Sequence, residues 1–576
     1  MYPATIFNWH DQSEIPTSAT QSGAIDDAPL FMQVFSSDKG TEDLVEISGS
    51  DFTSMYGAMS FSRHGQSAIQ AKNIIDAGGK LYAKRVVAKD STLANVVICA
   101  TVTKEGDKAK VTWSSKSITN CKTFDEVVKQ AADLYEAGSV FPLFIFSDNG
   151  RGVSNKSIRL NPDYSTSKTI GNMLYTLVVY EGTTITEQTT ISVDPTMMYN
   201  KVAYNLDKYT TVQVNGLVDD EYFEDYVKTI ADAIGEEVDT VRTYDIVFGY
   251  TNKGSVLDKF ELDGEGIDLD AVPGIALAEG SNGAFGNKPV NTDAWVEAIC
   301  DVFDGKFSDE VYDVDSHKIA VIADANYPDK IKKSIFDFVA FRKDCVFLRD
   351  YGTGLNTYLE IEAAYKKYIE EHNYFTADYA TSYLIKDPET NKNIEVTMLY
   401  DVVALMVNHI ANAAFAPMAG TINGFVLPSA IKGTINFTPV NTVRVNYKDA
   451  IDQLRVNYAI FQDDNCVVQT CYSCQDKYTQ LSFINNVVAI QRVLRAVRTG
   501  CPKNRYSIST TSDLTAYAKA VNDILSNFTT NFNTLEFVYT QDDLKAKQKI
   551  FYAAIKFAFL DWVQTEIFDV YAINAD

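Results

Sequence analysis

Residues Lys318–Arg349 read KIAVIADANYPDKIKKSIFDFVAFRKDCVFLR. The apolar run from Lys318 to Asp324 is predicted as a strand, and Cys345–Arg349 as a second one. The segment between them is predicted as a helix. A strand, a helix and a strand at this spacing form a crossover onto a parallel sheet, so the chain is expected to be an α/β protein. The end of such a strand is where nucleotides bind in many α/β folds. The sequence does not supply the matching loop. The pairs Gly79-Lys80 and Gly305-Lys306 lack both the upstream glycine and the following Ser or Thr of a phosphate loop. The Gly-Glu-Gly at 264–266 has Leu269 where a third glycine is needed.

Working outward, 576 residues imply several domains, three or four at about 150 residues each. The 46% apolar content supplies ordinary cores. Lys and Arg number 51 against 76 Asp and Glu, a formal charge of −25. Such a chain is self-repelling and unsuited to wrapping nucleic acid, whose phosphates demand a basic footprint. The N-terminal MYPATIFNWHDQSE lacks a basic region followed by a long apolar one, so no signal peptide is expected. No run of eighteen apolar residues occurs, so no membrane span is expected. The longest apolar stretch, Val402–Phe415, is interrupted by Asn408, His409 and Asn412. Eight cysteines in a chain of this length do not make a disulfide scaffold, and reduced thiols are the default. The 33 Tyr and 32 Phe suit extended β surfaces and large protein contacts, or a β-rich core with half-buried tyrosines.

In chain order, residues 1–28 are predicted as an arm carrying a short extended segment. A first α/β core segment, 29–149, begins with strand Leu30–Phe35, a turn at Ser36–Gly40 and strand Leu44–Ile47. Ser50 or Asp51 can cap a short helix ending near Gly57. Helix His64–Ala77 is stopped by Gly78-Gly79, and strand Leu81–Ala88 follows. A hairpin insertion spans Val97–Trp113, then come helix Thr123–Ala137 and strand Val140–Phe146. Residues 150–275 are predicted as a separate β-rich outer domain with one helix near Asp220–Ile234. A second α/β core segment, 276–415, holds helix Thr292–Phe303, the crossover and a long helix Val396–Phe415. A C-terminal domain, 416–564, contains strand Asn465–Gln475, helices Leu481–Arg498 and Thr510–Leu525, and strand Leu535–Thr540. It closes with a helix from Asp542 to about Thr565, whose Leu544, Phe551, Ile555, Ala558 and Trp562 recur at helical spacing. The arm 565–576 changes period. Ile567, Asp569, Tyr571 and Ile573 alternate with Phe568, Val570 and Ala572, a strand with no following hairpin partner.

No residue set points to catalysis or to a cofactor. Cys471 and Cys474 form one Cys-x-x-Cys, with Cys466 and Cys501 as strays, whereas zinc usually takes two paired sets; on a strand 471 and 474 point to opposite faces. The five histidines include no HExxH or His-x-His, and His409 on its apolar helix reads as a satisfied core residue. The acidic loop Glu261–Asp270 lacks the spacing of a calcium loop and reads as solvated. The scarcer basic groups cluster. Arg492, Arg495 and Arg498 share one side of a helix, and Lys545, Lys549 and Lys556 line the closing one. Each set is an exposed amphipathic face or a contact surface for an acidic partner.

Several stretches resemble contractile tail sheath proteins of phages and related injection systems. They are SDKGTEDLVEISGSDFTSMYG (37–57), AIQAKNIIDAGGKLYAKRVVA (68–88), NGRGVSNKSIRLNPD (149–163), TLVVYEG (176–182), LAEGSNGAFG (277–286), IADANYP (322–328) and APMAGTINGFVLPSA (416–430). In LAEGSNGAFG, Asn282 stands where that family often has Asp. The resemblance covers, in patches, 30–90, 140–180, 275–355 and 535–576. It implies a structural virion protein that stacks as hexameric rings in a helical sheath around a tail tube. It implies an inner α/β core with a parallel-containing sheet, an outward β-rich insertion, and terminal arms that add strands to neighbouring subunits. On this chain those arms are Tyr2, Ile6 and Phe7 at the N-terminus and Ile567, Phe568, Val570, Tyr571 and Ile573 at the C-terminus. The implied partners are other copies, the tube, the baseplate and the neck or terminator proteins. No enzyme activity, cofactor, metal, nucleic acid or membrane is implied. Assembly in the host cytoplasm into a virion tail is expected. Another phage structural protein or a bacteriocin-like machine's sheath also fits the residues, and a cytosolic α/β enzyme fits them least.

Overall fold

In the computed structural model, the described residues are 30–162, 174–192, 198–199, 202–203, 212–215, 220–238, 260–262, 266–433, 453–500, 511–529, 532–539 and 553–559, apart from positions 50, 273, 306–309, 315, 414 and 463. The first strands are β1 (Leu30–Phe35), β2 (Leu44–Ile47) and β3 (Lys80–Arg85). Between β2 and β3 lie the short helices α1 (Asp51–Tyr56) and α2 (Phe61–His64), then α3 (Gln66–Asp76). The chain continues through β4 (Asn95–Glu105), β5 (Lys108–Lys116), α4 (Phe124–Ala131) and β6 (Val140–Asp148). Next come β7 (Lys156–Pro162), β8 (Leu174–Glu181), β9 (Thr184–Ser192), β10 (Met198–Tyr199), β11 (Val202–Ala203), β12 (Val212–Asn215), α5 (Asp220–Ile234), β13 (Phe260–Leu262) and β14 (Ile275–Ala276). The expected crossover follows as α6 (Asp293–Phe303), β15 (Ile319–Ala323), α7 (Asp329–Arg342) and β16 (Val346–Asp350). Helix α8 (Tyr358–Tyr368) leads to β17 (Thr376–Tyr379), β18 (Ser382–Lys386), β19 (Asn393–Thr397), α9 (Leu399–Ala413), β20 (Lys432–Gly433), β21 (Ala459–Gln462) and β22 (Asn465–Val468). The last elements are α10 (Ile484–Gly500), α11 (Thr511–Ser526), β23 (Phe532–Tyr539) and β24 (Ala553–Phe559).

The main sheet is six-stranded, in the order β17-β16-β15-β1-β3-β2. Every pair in it is parallel except β2 with β3. Strands β15 and β16 are buried along their whole length, as parallel strands covered on both faces must be. One large core joins this sheet to residues from both ends of the described chain, Phe31 to Phe559. The segment expected as a separate C-terminal domain thus shares the core of the main sheet: Val487, Ile490 and Val493 of α10 pack in it with Val321 and Val346.

A second core runs from Ala94 to Leu277. It is built by a five-stranded sheet, β12-β6-β4-β5-β13, and a four-stranded one, β14-β7-β8-β9, with α5 packed against them. The hairpin β4–β5, expected as an insertion in the first core, therefore belongs with the 150–275 segment, because Val96, Ile98 and Val111 find their apolar partners there.

The polar turn between β1 and β2 joins the two bodies. Asp38 takes a bidentate ion pair from Arg63 and lies 3.1 Å from His64 Nε2. Lys39 pairs with Glu181 of β8, and Glu42 accepts from Arg151 Nε at 2.9 Å and NH2 at 2.6 Å. The fully buried Arg85 donates to the carbonyls of Gly40 (2.9 Å) and Arg151 (2.8 Å). The two backbones meet at Gly40 and Gly150, where a Cβ on Gly150 would sit 1.9 Å from the Gly40 carbonyl oxygen. Only glycine allows that approach.

At the carboxyl ends of β1, β15 and β16 the chain fills its own crevice. Lys332 Nζ donates to Asp324 Oδ2 and Asp350 Oδ1, each at 2.6 Å, and to the Asp350 carbonyl at 2.7 Å. Gln33 donates to Tyr327 Oη at 2.8 Å, and Gln70 donates to Gln33 Oε1 and to the Asp324 carbonyl. Gln66 links Gln70 to Thr397, whose hydroxyl donates to Asp350 Oδ2 at 2.9 Å. This position holds ligands in open α/β sheets. Here buried side chains of the same chain occupy it.

Burial first, and then the Asp350 carboxylate, push Asp324 up to about 7, against the pull of Lys332. A carboxyl raised in the folded state contributes stability that is complete below its unfolded value near pH 4 and is lost as pH climbs through about 7. Asp324→Asn should flatten that decline in urea melts run between pH 4 and 8. An unchanged slope would place the pH dependence elsewhere.

Candidate functional site

The end of the chain carries the main departure from the sequence reading. Residues 553–559 are not helical: β24 pairs antiparallel with β23 over Phe532–Phe559 through Tyr539–Ala553, with a bulge near Asn533. The helical stripe through Ile555 and Ala558 is overridden by a two-residue period. Ile555, Phe557 and Phe559 alternate with Ala554, Lys556 and Ala558, and the first set is the less exposed. That alternation, with a strand already expected at Leu535–Thr540, was the signal available in the sequence.

One face of this hairpin is anchored. Phe559 and Phe532 are buried with ring centroids 4.6 Å apart, and Phe415 stands edge-on to Phe532 at 5.4 Å. Phe537 lies against Tyr517 of α11, and Phe559 N donates to Gln480 Oε1 at 3.0 Å. The other face presents Glu536, Val538 and Lys556, with Glu536 directly opposite Lys556. Among the described residues no third strand pairs with this two-stranded sheet. A two-stranded sheet of this length is marginal by itself, and its open edges are templates for a further strand.

The basic groups divide. Lys556 is exposed on β24, while Lys545 and Lys549 lie outside the described residues. The three arginines of α10 do not form an outward stripe, because the helix turns them toward the chain itself. Arg492 is buried and donates to the Ile410 carbonyl at 3.2 Å. Arg495 donates to the Asp344 carbonyl at 3.0 Å, and Arg498 lies 3.5 Å from the Asp344 carboxylate. The two arms, with Tyr2, Ile6, Phe7 and Ile567, Phe568, Val570, Tyr571, Ile573, also lie outside the described residues.

His409 is buried and its Nε2 is 2.9 Å from the Ala416 carbonyl. In the acidic loop Asp270 pairs with Arg159, and Asp268 accepts from the Asp270 amide. The Cys-x-x-Cys is not on a strand, since β22 ends at Val468. Cys471 Sγ is 3.6 Å from Asn485 Oδ1, whereas Cys474 sits with His372 and Asp378, their donor atoms within 4.8 Å of one another. Burial, then Asp378, pushes the Cys474 thiol well above its usual range. Burial also opposes the Asp378 charge, yet Arg349 holds that carboxyl far below the ordinary range. Spacing could not reveal this cluster, because its members are about a hundred residues apart in sequence.

No protein-family model matches the sequence, and no curated protein matches it. Solved structures do. Those similar to this chain are tail sheath proteins and contractile injection system sheaths. The sheath tail protein of Listeria innocua is 10% identical with a TM-score of 0.47, over 96% of this chain and 97% of that one. The sheath tail protein of Desulfitobacterium hafniense is 9% identical with a TM-score of 0.42, over 92% and 94%. The sheath of an extracellular contractile injection system, in its contracted state, is 14% identical with a TM-score of 0.34, over 44% and 70%. No helix among the described residues is long and apolar enough to cross a membrane.

Phe559→Ala should detach the hairpin. Removing a buried phenylalanine costs about 3–5 kcal/mol. The expected outcome is a lower urea midpoint together with early protease cleavage inside 532–559; cleavage no faster than in the parent chain would mean that the hairpin is held by other contacts.

Proposed function

We propose that this protein is a tail sheath subunit. Copies stack as hexameric rings around a tail tube and contract to drive the tube through a host envelope, in a phage tail or a bacteriocin-like machine. The observation that carries the reading is the hairpin β23–β24: two long strands, anchored on one face, with edges that no other described strand occupies. The arms read from the sequence are the complement, extended segments with no hairpin partner of their own. A strand of five residues laid on such an edge gains about five backbone hydrogen bonds, each worth about 1 kcal/mol net. Ile567, Val570 and Ile573 add about 1.5–3 kcal/mol apiece if fully covered. Links of this kind survive rotation of the bodies, because the connecting residues act as hinges. The work of contraction then resides in the difference between two packings, fixed at assembly.

The tube is the partner for Lys545, Lys549 and Lys556. The arginine set is a weaker candidate, since its members already bond within the subunit. Baseplate and neck proteins meet the two ends of the polymer.

Deleting Glu566–Asp576 should leave monomer melting nearly unchanged, because an unpaired strand contributes little to its own fold. Polymerisation, followed by negative-stain imaging, should collapse, and Val570→Pro should act alike. A truncated monomer that melts much lower yet still forms cylinders would show that the tail pairs within its own subunit.

Reversing Lys545, Lys549 and Lys556 to Glu should weaken co-sedimentation with tube at low salt and spare the fold. Equal binding before and after would make these lysines a solvated face.

A further inference from the structure

Three side chains able to ligate a metal meet on the far edge of the main sheet, away from the hairpin and independent of the sheath reading. Asp378 is on β17, the edge strand. His372 ends the turn that leads into that strand. Cys474 comes from the loop after β22, which lies along the same edge: its amide donates to the Thr376 carbonyl at 2.7 Å. Three segments distant in sequence thus bring one nitrogen, one oxygen and one sulfur donor together.

The His372 side chain is only 6% exposed, and its Nε2 is buried with no hydrogen-bond partner. The nearest Asp378 oxygen is 3.5 Å away, longer than a hydrogen bond. That separation has another reading. Two nitrogen or oxygen ligands at about 2.0–2.1 Å from a tetrahedral zinc stand about 3.3–3.4 Å apart, and a sulfur at about 2.3 Å stands about 3.5 Å from either. The three donors, all within 4.8 Å of one another, need only small movements to close on one ion.

The surroundings fit. Asp378 accepts from Arg349 Nε at 2.8 Å, Arg349 NH2 at 3.0 Å and Tyr351 Oη at 2.8 Å. Those bonds leave room for one more partner on the carboxylate and fix its orientation, the usual task of the groups behind a metal ligand. Arg349 is also paired with Glu371 at 2.7 Å. With Cys474 as a thiolate, the buried set of Asp378, Glu371, Cys474 and Arg349 carries a net charge of minus two, which a divalent cation neutralises. A cavity of about 160 Å³ opens on the three donors, lined also by Tyr365, Arg455 and Asp476. It has space for a water as fourth ligand and for an entry path.

We propose that His372, Asp378 and Cys474 bind a zinc ion, with solvent in the fourth position, and so pin the loop after β22 to the edge strand of the main sheet. A mixed nitrogen, oxygen and sulfur donor set of this kind suits zinc. Cys471 takes no part in it.

The test uses the full chain, washed with chelator and titrated with Co²⁺ as a spectroscopic stand-in. One equivalent should produce a thiolate-to-cobalt charge-transfer band and the visible bands of a tetrahedral centre. Zinc should erase both and raise the melting temperature with concentration. Cys474→Ser should remove the charge-transfer band, and both Cys474→Ser and His372→Gln should weaken binding by more than about tenfold. Cys471→Ser should behave as the parent. The parent chain's own spectrum decides the matter even if a variant folds poorly. Absence of the band in the parent overturns the proposal, as does a band that persists in Cys474→Ser or disappears in Cys471→Ser.

Discussion

The main sheet depends on one buried ammonium. Lys332 reaches from the crossover helix into the carboxyl ends of β15 and β16 and holds Asp324 and Asp350, which are fully buried and would otherwise repel. Two buried carboxylates without a cation are strongly unfavourable, so sheet register and helix position are set together. Asp324 and Asp350 also accept backbone amides from Ala325, Tyr327, Asn326 and Gly352, which shapes the turns at the strand ends. The glutamines of β1 and α3 extend the network across the sheet. A fully bonded polar interior of this kind fixes a single arrangement of its elements. That rigidity is what a subunit needs if it is to move as a body and change only its contacts with neighbours.

The second constraint is the turn at Ser36–Glu42. Its charges are divided between the bodies: Asp38 stays with Arg63 and His64 of the first, while Lys39 and Glu42 reach Glu181 and Arg151 of the second. Arg85 stitches both sides through main-chain carbonyls. Charge-assisted bonds in partly buried surroundings are stronger than the same pairs in water. The second body is therefore held by a specific polar joint in addition to its chain connections, and the glycine pair 40 and 150 brings the backbones close enough for the joint to form.

The two edges of the molecule differ in kind. At β17 the backbone is already engaged by Asn457 and Cys474, so that edge is closed by the subunit's own loops. At the β23–β24 hairpin the described residues leave the strands open. A chain that closes one sheet edge with its own loops and leaves a hairpin open has a directional way to take up a strand from elsewhere.

The sequence by itself determined the local elements. Strands Leu30–Phe35 and Leu44–Ile47, helix Asp220–Ile234 and the crossover through α7 all lie where period and turn residues put them. These elements follow from side-chain alternation and from helix caps, which act over a few residues. Tertiary structure decided the rest. The hairpin β4–β5 joined the second core because its apolar face fits there. Residues 553–559 became a strand because pairing with β23 satisfied a two-residue period that a helical stripe had masked. The arginines of α10 turned inward because carbonyl and carboxylate groups of α9 and of the loop before β16 await them. Cys474 met His372 and Asp378 only when the loop after β22 folded along β17. Each of these outcomes depends on which surfaces meet across long stretches of chain, and local spacing carries no record of that.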